Sequence, residues 1–405
     1  MPEQVTLNRS ISLPMMVLYG LGTTIGAGIY ALVGEIANIA GYFAPVSFLI
    51  ASILAGFTAV SFAELSARFP RAAGAALYVK HGFNSDRLST LVGILVVLAG
   101  LVSAAALVNG FVGYLHQFLD IDRVYAIIII VLILGSIAAW GIAESVIIAS
   151  IITVVEIGGL LLVVFVSGDV LWTLPERWEE LIPPANIASW SGIYLGAILS
   201  FYAFIGFEDM VDVAEEVKNV KRNLPLAILL TLGITTFIYM LLIITAVLSL
   251  SPAELANSEA PLAEIYQSHT GQKAIVISII GIFAIINGAL IQMIMASRVL
   301  YGLSSRGLLP RSLSSVHQQT RTPLIATAVV TFVILVVALT GRLTSLAELT
   351  SIIMLSIFSM VNFSLWRVKQ HNPKPTGIKT YPIWIPVTGF FISCAFVLSK
   401  LVSLL

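Results

Sequence analysis

Charge is what this chain has least of: 10% of its 405 residues are Asp, Glu, Lys or Arg, against about 25% in an ordinary soluble domain. The few charges balance, 21 basic against 21 acidic, so the chain lacks the electrostatic footprint of a nucleic-acid partner. Its one cysteine, Cys394, excludes an intrachain disulfide and sits in an apolar run, where packing is its ordinary role. Five histidines, His81, His116, His269, His317 and His371, fall in loops or near the ends of apolar runs, with no His-Glu-x-x-His spacing. No polar stretch is long enough to fold alone, which argues against a large soluble domain. The N-terminus "MPEQVTLNRSISLP" lacks a short apolar core and small-residue cleavage site, so no removable signal peptide is expected. Enzyme chemistry, metals and cofactors therefore find no constellation to use.

What remains is hydrocarbon. Apolar residues make up 58% of the chain, and mean hydropathy is +1.00. This composition predicts an all-α, polytopic membrane protein whose first partner is the lipid bilayer. A spanning helix needs about 20 mostly apolar residues. Eleven windows qualify, at 12–38, 43–67, 87–116, 124–141, 145–167, 189–214, 225–250, 274–303, 323–340, 346–366 and 381–404. With the N-terminus in the cytoplasm, 16 of the 21 basic residues fall on that side, as basic residues in short loops prefer. Eleven spans then place the C-terminus outside. The two longest outer loops, 168–188 and 251–273, carry helix-forming and N-cap residues such as Ser251 before Pro252 and Glu254. Short surface helices are expected there, either as lids over a vestibule or as simple connectors.

One apolar window contradicts its own purpose. "GTTIGAGIY" (22–30) holds three glycines in seven residues, each costing about 1 kcal/mol of helix relative to alanine. Gly22-xxx-Gly26 is a small-xxx-small pattern suited to close helix packing. It also suits a deliberate break, whose second half would present bare amide N–H groups to an anion. The sixth window, "GAILSFYAFIGFEDMVDVAEEVKN", has the same character: Ile205-Gly206-Phe207 precedes Glu208 and Asp212, one helical turn apart. A charge at bilayer depth costs roughly 2.5–3.5 kcal/mol, so it faces a cavity or a partner. Each interruption begins a half of five windows, so the halves 1–167 and 189–366 would insert in opposite orientations, joined by 168–188 and followed by 367–405. Gly26 and Gly206 then occupy equivalent positions, which marks a transporter's midplane site.

Four motifs give the chain a relationship. Ile25-Gly26-Ala27-Gly28-Ile29-Tyr30 resembles the helix 1 break of the amino acid–polyamine–organocation transporter superfamily. "SFAELSARFPRAAG" (61–74) resembles the end of that family's helix 2, and "ASRVLYGLSSRGLLP" (296–310) the end of its helix 8. "FIGFEDMVDVAEEVKNVKRNLP" (204–225) is similar to its helix 6 signature, with Val220 where proline is usual. The resemblance runs along nearly the whole chain. It implies a five-plus-five inverted repeat with broken helices 1 and 6 and an α-amino acid bound between the breaks. By that analogy, amides around Gly26, Ala27 and Gly28 hold the carboxylate, and Ala27 lacks the hydroxyl many relatives place there. Carbonyls around Thr23, Thr24, Tyr202, Ala203 and Ile205 hold the ammonium, and Tyr202 stands where relatives place an aromatic gate. Relatives usually have twelve spans, so a twelfth-helix dimer contact is in doubt here.

Glu156 lies mid-span in a helix without a basic residue. Burial disfavours a carboxylate's charged form, so Glu156 is a candidate for the coupling proton, followed by Glu208 and Asp212. Attraction of a cationic substrate, a share in a metal cation site, and a plain interhelical hydrogen bond are its other readings. Several proton-coupled relatives carry a lysine in this place, so their mechanism does not transfer. Asn287 is a further polar candidate in the eighth window. The expected function is secondary transport of an amino acid across the plasma membrane, by symport or exchange. Ile25, Phe204, Ile205 and Phe207 favour a neutral side chain, and the acids favour the alternative of cationic amino acids or polyamines. A channel or a transport-inactive sensor is the alternative of another class.

Overall fold

The computed structural model describes residues 9–71, 74–140, 146–305, 307, 309–320 and 322–403. Two of the basic residues counted for orientation, Arg306 and Arg321, lie outside them, as does the side chain of Ala27. Every apolar window is helical. The first divides into α1 (Leu13–Thr24) and α2 (Ala27–Ala40), followed by α3 (Ala44–Arg68). A short helix α4 (Gly74–Phe83) leads to α5 (Asp86–Leu115), α6 (Arg123–Trp140) and α7 (Val146–Val166). After a four-residue turn of helix, α8 (Leu174–Arg177), come α9 (Ile187–Tyr202), a 3₁₀ segment Phe207–Glu216, and α10 (Val220–Ser249). The chain continues through α11 (Pro252–Asn257), α12 (Pro261–Thr270), α13 (Ile275–Ser305), α14 (Leu324–Thr340), α15 (Leu343–His371) and α16 (Trp384–Ser403).

Among the described residues, eight helical stretches are long and apolar enough to cross a membrane by length and composition. One of them, Gly28–Arg68, has 41 residues, about 60 Å of helix or twice a bilayer core. It turns back at Gly41, whose φ of +59° suits glycine, and so contains two windows. Two further windows are marginal by that test: α14 has 17 residues, and the stretch from Ser150 to Val166 meets the next loop at a 56° bend. Lipid-facing sides carry the exposed apolar residues, such as Phe165, Phe237 and Phe332.

The two long loops resolve differently. Ser251 and Glu254 form the reciprocal cap the sequence suggests, starting α11. The α11–α12 hairpin packs on α2 so closely that a Cβ on Gly34 would lie 2.4 Å from the Leu255 carbonyl oxygen. His116, ending α5, holds that hairpin through Nδ1 to Glu259 Oε2 at 2.7 Å. This loop is a cover. The 168–188 loop instead lies at the periphery, with Trp172 exposed and Arg177 donating to the Leu248 carbonyl at 2.9 Å.

At the opposite end, two anchors organise the chain. Glu64 is fully buried and accepts from Arg68 at 2.6 Å, Lys369 at 2.6 Å and the Tyr381 amide at 2.9 Å, tying α3 to α15 and the segment before α16. Ile11, before α1, pairs with Val217: its N–H donates to the Glu216 carbonyl at 3.1 Å, and its carbonyl accepts from Lys218 N–H at 2.9 Å.

Candidate functional site

The glycine-rich window is broken. The helix α1 ends at Thr24, Ile25 departs to ψ 74°, and Gly26 at φ −125°, ψ −146° precedes α2 with no capping side chain. The first-turn amides of α2 thus have no partner within their own helix. Both readings of the glycines hold, at different positions. Gly22 serves packing, since a Cβ there would sit 2.0 Å from Thr153 Oγ1 on α7. Gly28 lets the second break approach, since its Cβ would meet Ala203 Cα at 3.1 Å and the Tyr202 ring at 3.3 Å.

The second break begins where α9 tightens. The N–H groups of Ala203, Phe204 and Ile205 bond back to Ser200, Phe201 and Tyr202, three residues earlier. Gly206 then takes φ +127°, a conformation L side chains avoid. A Cβ on it would lie 2.1 Å from the Thr23 carbonyl oxygen, so the two breaks touch backbone to backbone. The Gly206 amide is capped by Glu208 Oε2 at 2.8 Å, which gives that acid a structural task.

A residue unsuspected from sequence joins the breaks. Tyr239 on α10 is fully buried, and its hydroxyl lies 2.9 Å from the Thr24 carbonyl and 3.0 Å from that of Ala203. Those two carbonyls, expected to hold an ammonium, share this one O–H donor. The Tyr202 carbonyl likewise accepts from Ile205 N–H at 3.2 Å. The hydroxyls of Thr23 and Thr24 both donate to the Gly20 carbonyl, at 3.0 and 2.8 Å.

Two adjoining cavities meet this junction. A small one of about 50 Å³ touches Gly26, Gly28, Thr24, Tyr202 and Ala203. A large one of about 1270 Å³ runs from it to the surface at Lys80 and Asp86, past Asn287 and the acids Glu208, Asp209 and Asp212. Thr23, Ser103, Ile205, Asp209 and Gln292 line both. Tyr202 closes the small cavity on one side, with its hydroxyl 2.9 Å from Ser103 Oγ on α5.

Three expected contacts do not reach this space. Ile25, Phe204 and Phe207 are fully buried in the core; Phe204 packs edge-on against Tyr239 and Phe48, and Phe207 against Phe62 and Phe358. Of the apolar four, only Ile205 faces the cavities, which removes the sequence argument for a neutral substrate side chain. Asp212 Oδ1 lies beside Gly74, at the N-terminus of α4, where negative charge is favoured. Glu156 is 2% exposed and lies outside both cavities. Its backbone carbonyl accepts from the Tyr30 hydroxyl at 2.7 Å, and it lies within electrostatic reach of Tyr30 and Tyr239. That position puts it beside Tyr30 of α2 and near Tyr239 of α10, outside the space between the breaks.

Paired helix breaks enclosing a cavity, in an all-helical multi-pass protein, define the class: a membrane protein with its site inside the helix bundle. An amino acid permease family model matches residues 11–404, and the chain belongs to that family. It is similar to the vacuolar cationic amino acid transporter 2 of Arabidopsis thaliana, with 29% identity covering 92% of this chain and 62% of the relative. It is also similar to the branched-chain amino acid permease BcaP of Bacillus subtilis, with 27% identity covering 91% and 82%. The methylthioribose transporter of the same bacterium is 24% identical, covering 91% and 83%. The chain spans about three-fifths of the length of the plant relatives it matches.

Proposed function

We propose that the chain carries an amino acid across a membrane by alternating access. The observation that carries this reading is the junction itself: the start of α2, whose first-turn amides have no partner within their own helix, lines a small cavity where two helix breaks touch. A carboxylate suits those amides and the positive end of the α2 dipole. The ammonium then falls to the carbonyls of Thr23, Thr24, Ala203 and Ile205 and the lining hydroxyls, the Tyr239 proton serving only one of Thr24 and Ala203 at a time. We take 1–167 and 189–366 as inverted halves, with the N-terminus and the mouth of the large cavity on the cytoplasmic side of a plasma membrane. The chain then stands in a state open to the cytoplasm.

Family membership, relatives named as transporters, and the absence of catalytic spacing all weigh toward a carrier and away from an enzyme. The test is uptake into proteoliposomes holding the purified chain. Saturable, stereoselective uptake of an amino acid, blocked by the free acid but not by its methyl ester, is expected. Single-channel currents would replace the carrier with a pore, and ligand binding without uptake would replace it with a sensor.

Coupling is assigned to a proton on Glu156, because a buried acid beside α2 and near Tyr239, whose hydroxyl joins the breaks, responds to their movement. An imposed pH gradient drives accumulation in this reading, and Glu156→Gln abolishes the dependence. Full gradient-driven accumulation by that variant would move the role to Glu208 or Asp212.

A further inference from the structure

The acids of the helix 6 break differ in what already occupies them. Glu208 caps the Gly206 amide, and Asp212 lies against the start of α4. Asp209 follows Glu208 directly, and its carboxylate makes no hydrogen bond or ion pair among the described residues. It is also the acid that lines both cavities, so it stands where the small one opens into the large one. The wall across from it is neutral, formed by Ser103 on α5 and Gln292 on α13. Cations along the large cavity lie at its outer end: Lys80 is 2.6 Å from Asp86, and Arg298 is exposed. Five acids against two cations line that cavity, which concentrates positive solutes in it.

A carboxylate at bilayer depth needs a positive partner, and none is paired with Asp209 among the described residues. The same small cavity is lined by Asp209 and, at the start of α2, by Gly26 and Gly28, and it opens into the large one. We propose that Asp209 is the specificity-determining residue of the site: it holds the side-chain cation of a basic amino acid whose carboxylate rests on the α2 amides. This rests on the carrier reading and adds to it the substrate class and the residue that selects it. The carboxylate contact separates such a substrate from a diamine, and the Asp209 contact separates it from a neutral amino acid.

Three probes of one shape test the assignment on the purified full chain in proteoliposomes: lysine, norleucine, which lacks the ε-ammonium, and cadaverine, which lacks the carboxylate. Wild type is expected to bind lysine at least tenfold more tightly than either, about 1.4 kcal/mol or more. In Asp209→Asn the norleucine-to-lysine ratio of KM values falls at least tenfold toward unity, and Asp209→Glu restores most of it. Norleucine matching lysine in wild type would overturn the Asp209 assignment and leave the carrier standing, a comparison that needs no variant. An unchanged ratio in a folded Asp209→Asn, or a collapse in Asp212→Asn alone, would also overturn it. Cadaverine matching lysine would remove the carboxylate contact and the assignment with it. Absence of uptake for every amino acid tried would remove both.

Discussion

Two tyrosines allow one substitution to be tested with opposite signs. Tyr239 and Tyr78 are both fully buried, and Tyr→Phe removes a single oxygen from each while keeping the ring. The Tyr239 hydroxyl serves the Thr24 and Ala203 carbonyls at 2.9 and 3.0 Å, where helices 1 and 6 have given up their own bonds. Removing it forfeits a net hydrogen bond of about 1 kcal/mol and leaves a buried carbonyl unsatisfied at about 1–3 kcal/mol. Tyr239→Phe should therefore destabilise by roughly 2–4 kcal/mol. The Tyr78 hydroxyl is buried and makes no hydrogen bond among the described residues. Deleting it removes a desolvated polar atom, so Tyr78→Phe should be neutral or stabilising by about 1 kcal/mol. Melting of the two variants in the same detergent, followed by tryptophan fluorescence, measures the difference. Amino acid affinity should fall in Tyr239→Phe, because the breaks lose their common anchor. Equal melting of the two variants, or a more stable Tyr239→Phe, would refute the claim that this hydroxyl holds the junction.

Three other perturbations follow from the same geometry. Gly206→Ala places a Cβ against the Thr23 carbonyl at a backbone conformation with φ +127°; strain and overlap together should cost about 2–6 kcal/mol, seen as lost monodisperse protein or a melt several degrees lower, and a wild-type melt would show the breaks to be apart. Glu64→Gln leaves buried Arg68 and Lys369 without a counter-charge, a loss of about 3–5 kcal/mol; adding Lys369→Met should recover part of the melting temperature, and no recovery would deny the clasp. His116 meets two acceptors, the Glu259 carboxylate and the Ile121 carbonyl at 3.0 Å, so full bonding needs the imidazolium. The hydrogen bond to Glu259 chiefly, with the bond to the Ile121 carbonyl and the charge of Asp120 adding, raises its pKa above 6.5 against a smaller lowering by burial. A raised folded pKa stabilises fully below pH 6.5 and loses that contribution as pH rises through the higher value. Hydrogen exchange of the α11–α12 hairpin, corrected for intrinsic rate, should therefore speed up at alkaline pH in wild type, and a His116→Gln protein with the same pH response would exclude the switch.

Much of the fold was legible because lipid imposes one rule: unsatisfied backbone is intolerable, so apolar runs of sufficient length are helices. The same rule made the breaks readable, since Gly26 and Gly206 sit where a helix is weakest. The site's walls were less legible. Ile25, Phe204 and Phe207 looked like substrate contacts because they flank the breaks, yet unwinding rotates side chains away from their helical positions, and these three turned into the core. Asp209 was passed over for a related reason. Spacing of four residues singled out Glu208 and Asp212 on an assumed α-helix. The segment is 3₁₀, whose i and i+3 side chains eclipse, so Asp209 aligns with Asp212 instead. Tyr239 left no signal in its own window, because a tyrosine among isoleucines and leucines reads as packing until its hydroxyl meets two carbonyls from distant helices.

The helix α5 shows how closure of one end is built and what opening it would disturb. Ser103 reaches the Tyr202 hydroxyl beside the small cavity at 2.9 Å. Tyr114, about 16 Å farther along the helix, donates to the Tyr30 carbonyl of α2 at 2.9 Å. His116 then holds Glu259 of the covering hairpin at 2.7 Å. These three contacts form a row on one helix and join it in turn to the helix 6 break, the helix 1 break and the cover. The contacts that hold the breaks to each other, through Tyr239 and Gly206, do not involve α5 at all. Parting α5 from the broken helices would thus cost a few hydrogen bonds of about 1 kcal/mol each, besides its apolar packing, while the junction between the breaks stays whole. Of the row's members, His116 is the one whose hydrogen bonding changes with a proton, so the pH on that side biases the end that is closed.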